Sequence, residues 1–164
     1  MNSELQTLID SLREELRQYG EMLVLLDDQQ NRILRRRAPE LLDATTAVNH
    51  QGEAIRSARD QRECARRDLA RRLDLSGDVP FTRLAPLLPP DYRPLVSALV
   101  QENNQLLTRI QQRARQNSLL LRRSLDLLDQ VIHSFAPVRT PVYTGAGSLH
   151  HAAACGAAMY EAVC

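Results

Sequence analysis

The sequence predicts an all-α protein, an antiparallel three-helix coiled-coil-like bundle with a flexible C-terminal tail. Two observations predict this fold class. Apolar residues recur at alternating steps of four and three through most of the first 135 residues, which is the spacing of helices that pack along their length. Prolines cluster between positions 80 and 94 and return at 137 and 141, where they interrupt long helices.

Composition excludes several classes of protein. The 164 residues are 43% hydrophobic and 25% charged, which favours one folded domain over a disordered chain. The longest apolar run, residues 22–26, is far too short to span a bilayer, and the charged first thirty residues do not resemble a signal peptide. A net charge of +1 disfavours nucleic-acid binding. Three cysteines without a CxxC motif predict a reducing compartment, the cytoplasm.

The first helix is expected over residues 4–36 and the second over 39–73, with Pro39 marking the break because proline is tolerated only in the first turn of a helix. Apolar residues form a heptad seam on the first helix, namely Leu5, Ile9, Leu12, Leu16, Tyr19, Leu23, Leu26 and Ile33. The second helix has a thinner seam and many arginines, interleaved with acids at helical spacing. We interpret those arginines as a solvated face with i,i+4 ion pairs; a nucleic-acid-binding stripe is the weaker interpretation.

A proline-rich connector, residues 74–93, leaves room for one short turn over 81–88. The third helix is expected over 94–135, which makes residues 1–136 the bundle and 137–164 a mobile tail. Its seam includes two asparagines, Asn103 and Asn117. Two interpretations of them remain open: buried residues that fix register and partner number, or residues on a partly wet stretch of the seam.

The last four turns of the third helix carry a second apolar stripe beside the first. Its members are again spaced four and three: Leu121, Leu125, Leu128, Ile132 and Phe135. One interpretation is an internal helix that needs two contact faces. The other is an open groove for an amphipathic helix of another protein. The second helix favours this interpretation, because its apolar seam is thin and rich in arginine and would pack poorly against a second stripe.

The sequence contains no arrangement typical of an enzyme. No glycine-rich phosphate loop precedes a strong helix, and the four histidines lack partners at metal-ligand spacing apart from the neighbouring His150 and His151. We therefore predict no catalytic residue, no cofactor and no metal site.

Three stretches resemble the FlgN family of flagellar export chaperones. They are LREELRQYGEMLVLLDDQQNRIL at 12–34, QENNQLLTRIQQRARQNSLLLRRSLDLL at 101–128, and VYTGAG at 142–147. The final stretch, HHAAACGAAMYEAVC, departs from the family pattern. The resemblance implies a cytoplasmic chaperone that binds the terminal helices of hook-associated (hook-filament junction) proteins and delivers them to the flagellar type III export machinery.

The resemblance also implies site residues. The client-facing residues would be Leu121, Leu125, Leu128, Ile132 and Phe135. Tyr143 would be either a docking handle for the export machinery or an aromatic that folds back onto the bundle. A monomer or weak homodimer is expected, without nucleic acid or membrane insertion. The alternative function is a homodimeric coiled-coil scaffold or adaptor without a secretion role.

Overall fold

The computed structural model describes residues 2–75 and 79–135 and two short strands further along the chain. The helices are α1 (Asn2–Arg35), α2 (Ala38–Arg72), α3 (Phe81–Leu84), a 3₁₀ turn (Ala85–Leu87) and α4 (Arg93–Phe135). Contacts divide the chain into two compact units, Met1–Arg123 and Ser124–Cys164. The predicted all-α class is confirmed for the two described helical ranges.

In the N-terminal unit, α1 and α2 form an antiparallel hairpin. The turn between them is set by Arg36, whose φ of 56° is left-handed and ends α1, and by proline in the first turn of α2. Gln29 near the end of α1 donates to the Thr45 hydroxyl at 3.1 Å, whereas Glu15, two helical heptads earlier, lies 3.3 Å from Arg62. A contact nearer the start of α1 therefore lies nearer the end of α2, as expected for two antiparallel helices.

The hydrophobic core lies where the start of α1, the end of α2, the connector and the start of α4 meet. Leu84 and Leu88 of the connector are buried in it, so the proline-rich segment is a packed part of the core. The buried residues of this cluster are Leu5, Leu8, Ile9, Leu12, Ala65, Leu69, Ala70, Leu84, Leu88, Val96 and Leu99.

Helix α4 runs in the same direction as α1. The Asn103 side chain of α4 donates to the Leu12 carbonyl at 3.0 Å, and Asn117 donates to the Leu26 carbonyl at 2.8 Å. Arg113 adds an ion pair with Asp27 at 2.7 Å. Beyond the apolar core, polar side chains therefore also join α4 to α1.

The expectation that the arginines of α2 form a solvated face is wrong for Arg66 and incomplete for Arg62. Arg66 is buried, donates to the Val79 carbonyl of the connector and pairs with Glu63. Arg62 lies 6.0 Å from the centre of the Phe81 ring. Guanidinium groups stack on aromatic rings and bond carbonyls, so these two arginines hold the connector against α2.

The C-terminal unit contains the end of α4 and a small antiparallel sheet. Strand β1 (Val142–Tyr143) pairs with β2 (Leu149–His150), with Val142 opposite His150. Of the predicted mobile tail, 137–164, the structure describes only these two strands, and the rest lies outside the described residues.

Candidate partner-binding site

The end of α4 exposes large apolar side chains. Phe135 is 79% exposed, Ile132 65% and Leu125 64%. Six residues of the C-terminal unit share this exposure and are called here the apolar end of α4: Leu125, Leu127, Leu128, Val131, Ile132 and Phe135. Exposed apolar patches on a folded protein mark interaction sites.

The apolar end has the geometry of a helix-binding surface. On a helix that turns about 100° per residue, the spacing of Leu125, Leu128, Ile132 and Phe135 places them on one stripe, and Leu127 and Val131 lie beside it. Together the six cover roughly 160° of the helix circumference. Asp126, Asp129 and His133 occupy the opposite arc. A surface this wide exceeds the stripe of about 100° that a surface helix usually buries.

The residues of the first seam of α4 become more exposed toward the end of the helix. Asn117 is buried, Leu120 and Ser124 are half-buried, and Leu127 and Val131 are exposed. The four-three spacing of the seam that contains Asn103 and Asn117 continues through Leu127 and Val131, and this spacing alone predicts that both are packed. In the structure they belong to the exposed surface with the second stripe.

The predicted site residues fall into three groups. Leu125, Leu128, Ile132 and Phe135 are exposed. Leu121 is half-buried and belongs to the N-terminal unit. Tyr143 lies in β1, and its role stays a prediction.

Both asparagines of the α4 seam are buried, which excludes the interpretation that they lie on a partly wet stretch; that they fix register and partner number stays a prediction. Asn103 is 5% exposed and Asn117 2%. Asn103 also donates to the Leu99 carbonyl, and Asn117 to the Gln29 side chain at 3.0 Å. Buried side-chain amides that bond a neighbouring helix fix how two helices align.

A buried carboxylate joins α1 and α2 in the N-terminal unit. Glu15 is 1% exposed and lies 3.3 Å from Arg62 and 3.8 Å from Arg59. The Tyr19 hydroxyl donates to Glu15 at 2.8 Å. Burial, together with this hydrogen bond and the nearby negative charge, raises the pKa of Tyr19 to about 12. A buried charge needs this many partners because desolvation is costly, so the cluster is a structural feature of the hairpin.

The described ranges offer little else for chemistry. No group of three histidine, cysteine, aspartate or glutamate residues is placed to hold a metal ion in the part of the chain that the structure describes. No helix within the same ranges has the length and apolar character to cross a bilayer. Cys64 is an exposed free thiol.

Comparison with known proteins gives one result. A family model described as "FlgN protein" matches residues 1–151. Neither a curated protein nor a solved structure matches the chain.

Proposed function

Because the chain belongs to the FlgN family, we propose that it is a cytoplasmic chaperone of flagellar type III export. The family suggests a flagellar chaperone role in general. Our specific proposal is that the chain binds hook-associated (hook-filament junction) proteins through their terminal helices, prevents their premature assembly and delivers them to the export apparatus.

The observation that carries the proposal is the exposure of the apolar end of α4. We assign client binding to Leu125, Leu128, Ile132 and Phe135, with Leu121 at the start of the stripe. A client that assembles through amphipathic terminal helices must have their apolar faces covered before export. A helix laid along an apolar stripe provides that cover.

Burial of such a surface would contribute strongly to the free energy of binding. Burying one leucine or phenylalanine side chain stabilises a complex by about 1.5–3 kcal/mol. Four such residues offset a substantial part of the cost of association and of ordering the client helix. Leu127 and Val131 widen the surface and allow a second client contact beside the main stripe.

We further propose that α1, α2 and α4 form the antiparallel three-helix coiled-coil-like bundle expected from the heptads. The Glu15–Arg62 ion pair supports an antiparallel α1–α2 pair. The bonds from Asn103 and Asn117 to α1 carbonyls support an α4 that returns in the direction of α1. In this arrangement, α4 is the helix that both completes the bundle and presents the client surface.

The test is a charge placed in the proposed stripe. Leu125→Arg with Leu128→Arg should reduce the affinity for a peptide of the C-terminal helix of a hook-associated protein by at least about a hundredfold, because two leucines that the bound client would cover are replaced by unpaired charges. The matched control is Leu34→Arg with Leu42→Arg, since both are exposed leucines, 63% and 69%, outside the proposed site. Fluorescence anisotropy measures the affinity.

Circular dichroism and denaturant unfolding accompany the binding measurement. Substitution of exposed side chains should change the free energy of unfolding by no more than about 0.5 kcal/mol. If the Leu125/Leu128 variant bound the peptide with unaltered affinity, the assignment of client binding to this stripe would be wrong. A tight homodimer of the wild type, dissociated by the same two substitutions in sedimentation, would instead support the scaffold function.

A further inference from the structure

A second surface of α4 differs in charge from the rest of the chain. Residues 103–125 contain five arginines and no aspartate or glutamate, although the whole chain carries 20 acidic residues against 21 basic ones. An acid-free run of this length on one helix creates a local positive charge that the near-neutral total conceals. Such a local excess attracts negatively charged partners.

Most of these arginines form no ion pair within the described ranges. Arg113 pairs with Asp27, but Arg109, Arg115, Arg122 and Arg123 are exposed, and no carboxylate in the described ranges forms an ion pair with them. On the other helices, exposed arginines such as Arg17 and Arg71 pair with acids one helical turn away. Arg35, Arg36, Arg56 and Arg83 are likewise exposed without an ion pair in the described ranges. What distinguishes α4 is that four such arginines lie within one acid-free run of a single helix.

The positions of these arginines define one face. Residues seven apart on a helix lie within about 20° of each other, so Arg115 and Arg122 share a stripe. Leu119 lies between them along the helix, and Arg123 borders it on the other side. Leu119 is 56% exposed. We call Arg115, Leu119, Arg122 and Arg123 the arginine face.

The arginine face points away from the α1 contact. Residues two apart on a helix are separated by about 200°, so Leu119 lies nearly opposite Asn117, which bonds the Leu26 carbonyl. The face lies wholly within the N-terminal unit. Packing against α1 therefore leaves it accessible.

We propose that the arginine face docks an acidic amphipathic helix of a second protein, one that is not the export client. Guanidinium groups bind carboxylates in bidentate geometry, and glutamates one helical turn apart on the partner would meet the arginines on both sides of Leu119. Leu119 supplies a central apolar contact with a leucine or similar side chain of the partner. Charge complementarity would also accelerate the encounter.

Two other polyanions fit the face less well. A membrane surface is bound by helices that insert several large apolar or aromatic residues, and this face offers only Leu119. A nucleic-acid backbone is neutralised by cations alone, which leaves Leu119 without a contact. An acidic protein helix uses both the charges and the leucine.

A charge-swap experiment tests the proposal. The probe is a synthetic helical peptide with glutamates flanking a central leucine, and its matched partner carries lysine in place of each glutamate. Wild-type protein should bind the glutamate peptide with an affinity that falls as salt rises. Arg115→Glu with Arg122→Glu should weaken that binding at least about tenfold and should gain binding of the lysine peptide.

The matched control is Arg13→Glu with Arg71→Glu, which reverses two exposed arginines on other helices and should leave glutamate-peptide binding close to that of wild type. Leu119→Ala should weaken binding of the glutamate peptide and leave binding of polyglutamate unchanged. An Arg115/Arg122 variant that binds like wild type would overturn the proposal. So would an unaffected Leu119→Ala variant, or tighter binding of single-stranded RNA or phosphatidylglycerol vesicles than of the peptide.

This inference stands independently of client binding. The arginine face belongs to the N-terminal unit, whereas Leu125, Leu128, Ile132 and Phe135 belong to the C-terminal unit, so Arg115→Glu with Arg122→Glu should retain the affinity for the hook-associated peptide. Loss of both affinities together, with normal helix content, would show that the two surfaces are one and would overturn the proposal of a separate partner.

Discussion

Asn117 of α4 donates its side-chain amide to the backbone carbonyl of Leu26 on α1, at 2.8 Å. Asn103 makes the same bond to Leu12, and both pairs are separated by 91 residues in sequence. The bonds thus repeat in step along both helices. A slip of α4 along α1 would break both at once and leave buried amides unpaired, which costs about 1–3 kcal/mol for each group.

The two buried asparagines predict that thermal stability can rise while the single alignment of α4 with α1 is lost. Asn103→Leu with Asn117→Leu should raise the midpoint of thermal unfolding, because two buried polar groups become apolar contacts in a heptad seam. The same variant should lose its single alignment and form mixed oligomers, which sedimentation velocity detects.

The control for this pair is Asn104→Leu, since Asn104 is exposed beside the seam and its substitution should leave both the unfolding midpoint and the oligomeric state unchanged. A double variant that unfolds at a lower temperature and remains a single species would contradict a role of the asparagines in alignment.

The raised pKa of Tyr19 predicts a loss of stability at high pH. Its folded value of about 12 lies above the ordinary value of about 10, so the protonated hydroxyl is favoured in the folded state. Its contribution is complete below about pH 10 and disappears between about pH 10 and pH 12. Tyr19→Phe should cost about 2 kcal/mol at neutral pH, since a hydrogen bond to a charged carboxylate is lost.

Denaturant unfolding at a series of pH values measures the difference between wild type and Tyr19→Phe. That difference should shrink as the pH rises above about 10. Met22→Leu is the control, because this buried side chain of α1 has no titratable group, and its difference from wild type should stay constant. If the difference in the free energy of unfolding were also constant for Tyr19→Phe, the stabilisation by the Tyr19 hydroxyl would not depend on its burial beside Glu15.

Heptad spacing was sufficient to predict the helices but not the end of their packing. The first seam of α4 repeats from Val96 to Val131 without a change in period, yet Val96 is buried and Val131 is exposed. Periodicity describes one helix at a time, and it contains no information on how far a neighbouring helix extends. For this reason, Leu127 and Val131 could not be assigned to the exposed surface from sequence.

Charged residues were the other limit of prediction. Glu15 lies three residues after Leu12 and four before Tyr19, a position that flanks a heptad seam and commonly carries an exposed charge, but it is buried and paired with Arg62. Arg66 likewise resembles its exposed neighbours in sequence and instead bonds the connector. Long charged side chains are placed by partners distant in sequence, which local spacing does not identify.

The last prediction concerns the residues that follow α4, and it separates client binding from delivery. Deleting residues 137–164 should leave the affinity for the hook-associated peptide unchanged, because the proposed stripe ends at Phe135, and should reduce the amount of hook-associated protein secreted into the culture medium. Deleting only 152–164, which lie beyond the family match, is the control and should leave secretion intact. Tyr143→Ala should reproduce the longer deletion if Tyr143 is the docking handle for the export machinery. Normal secretion in the longer deletion would assign delivery to residues 1–136, whereas lost peptide binding would show that the tail covers or completes the client surface.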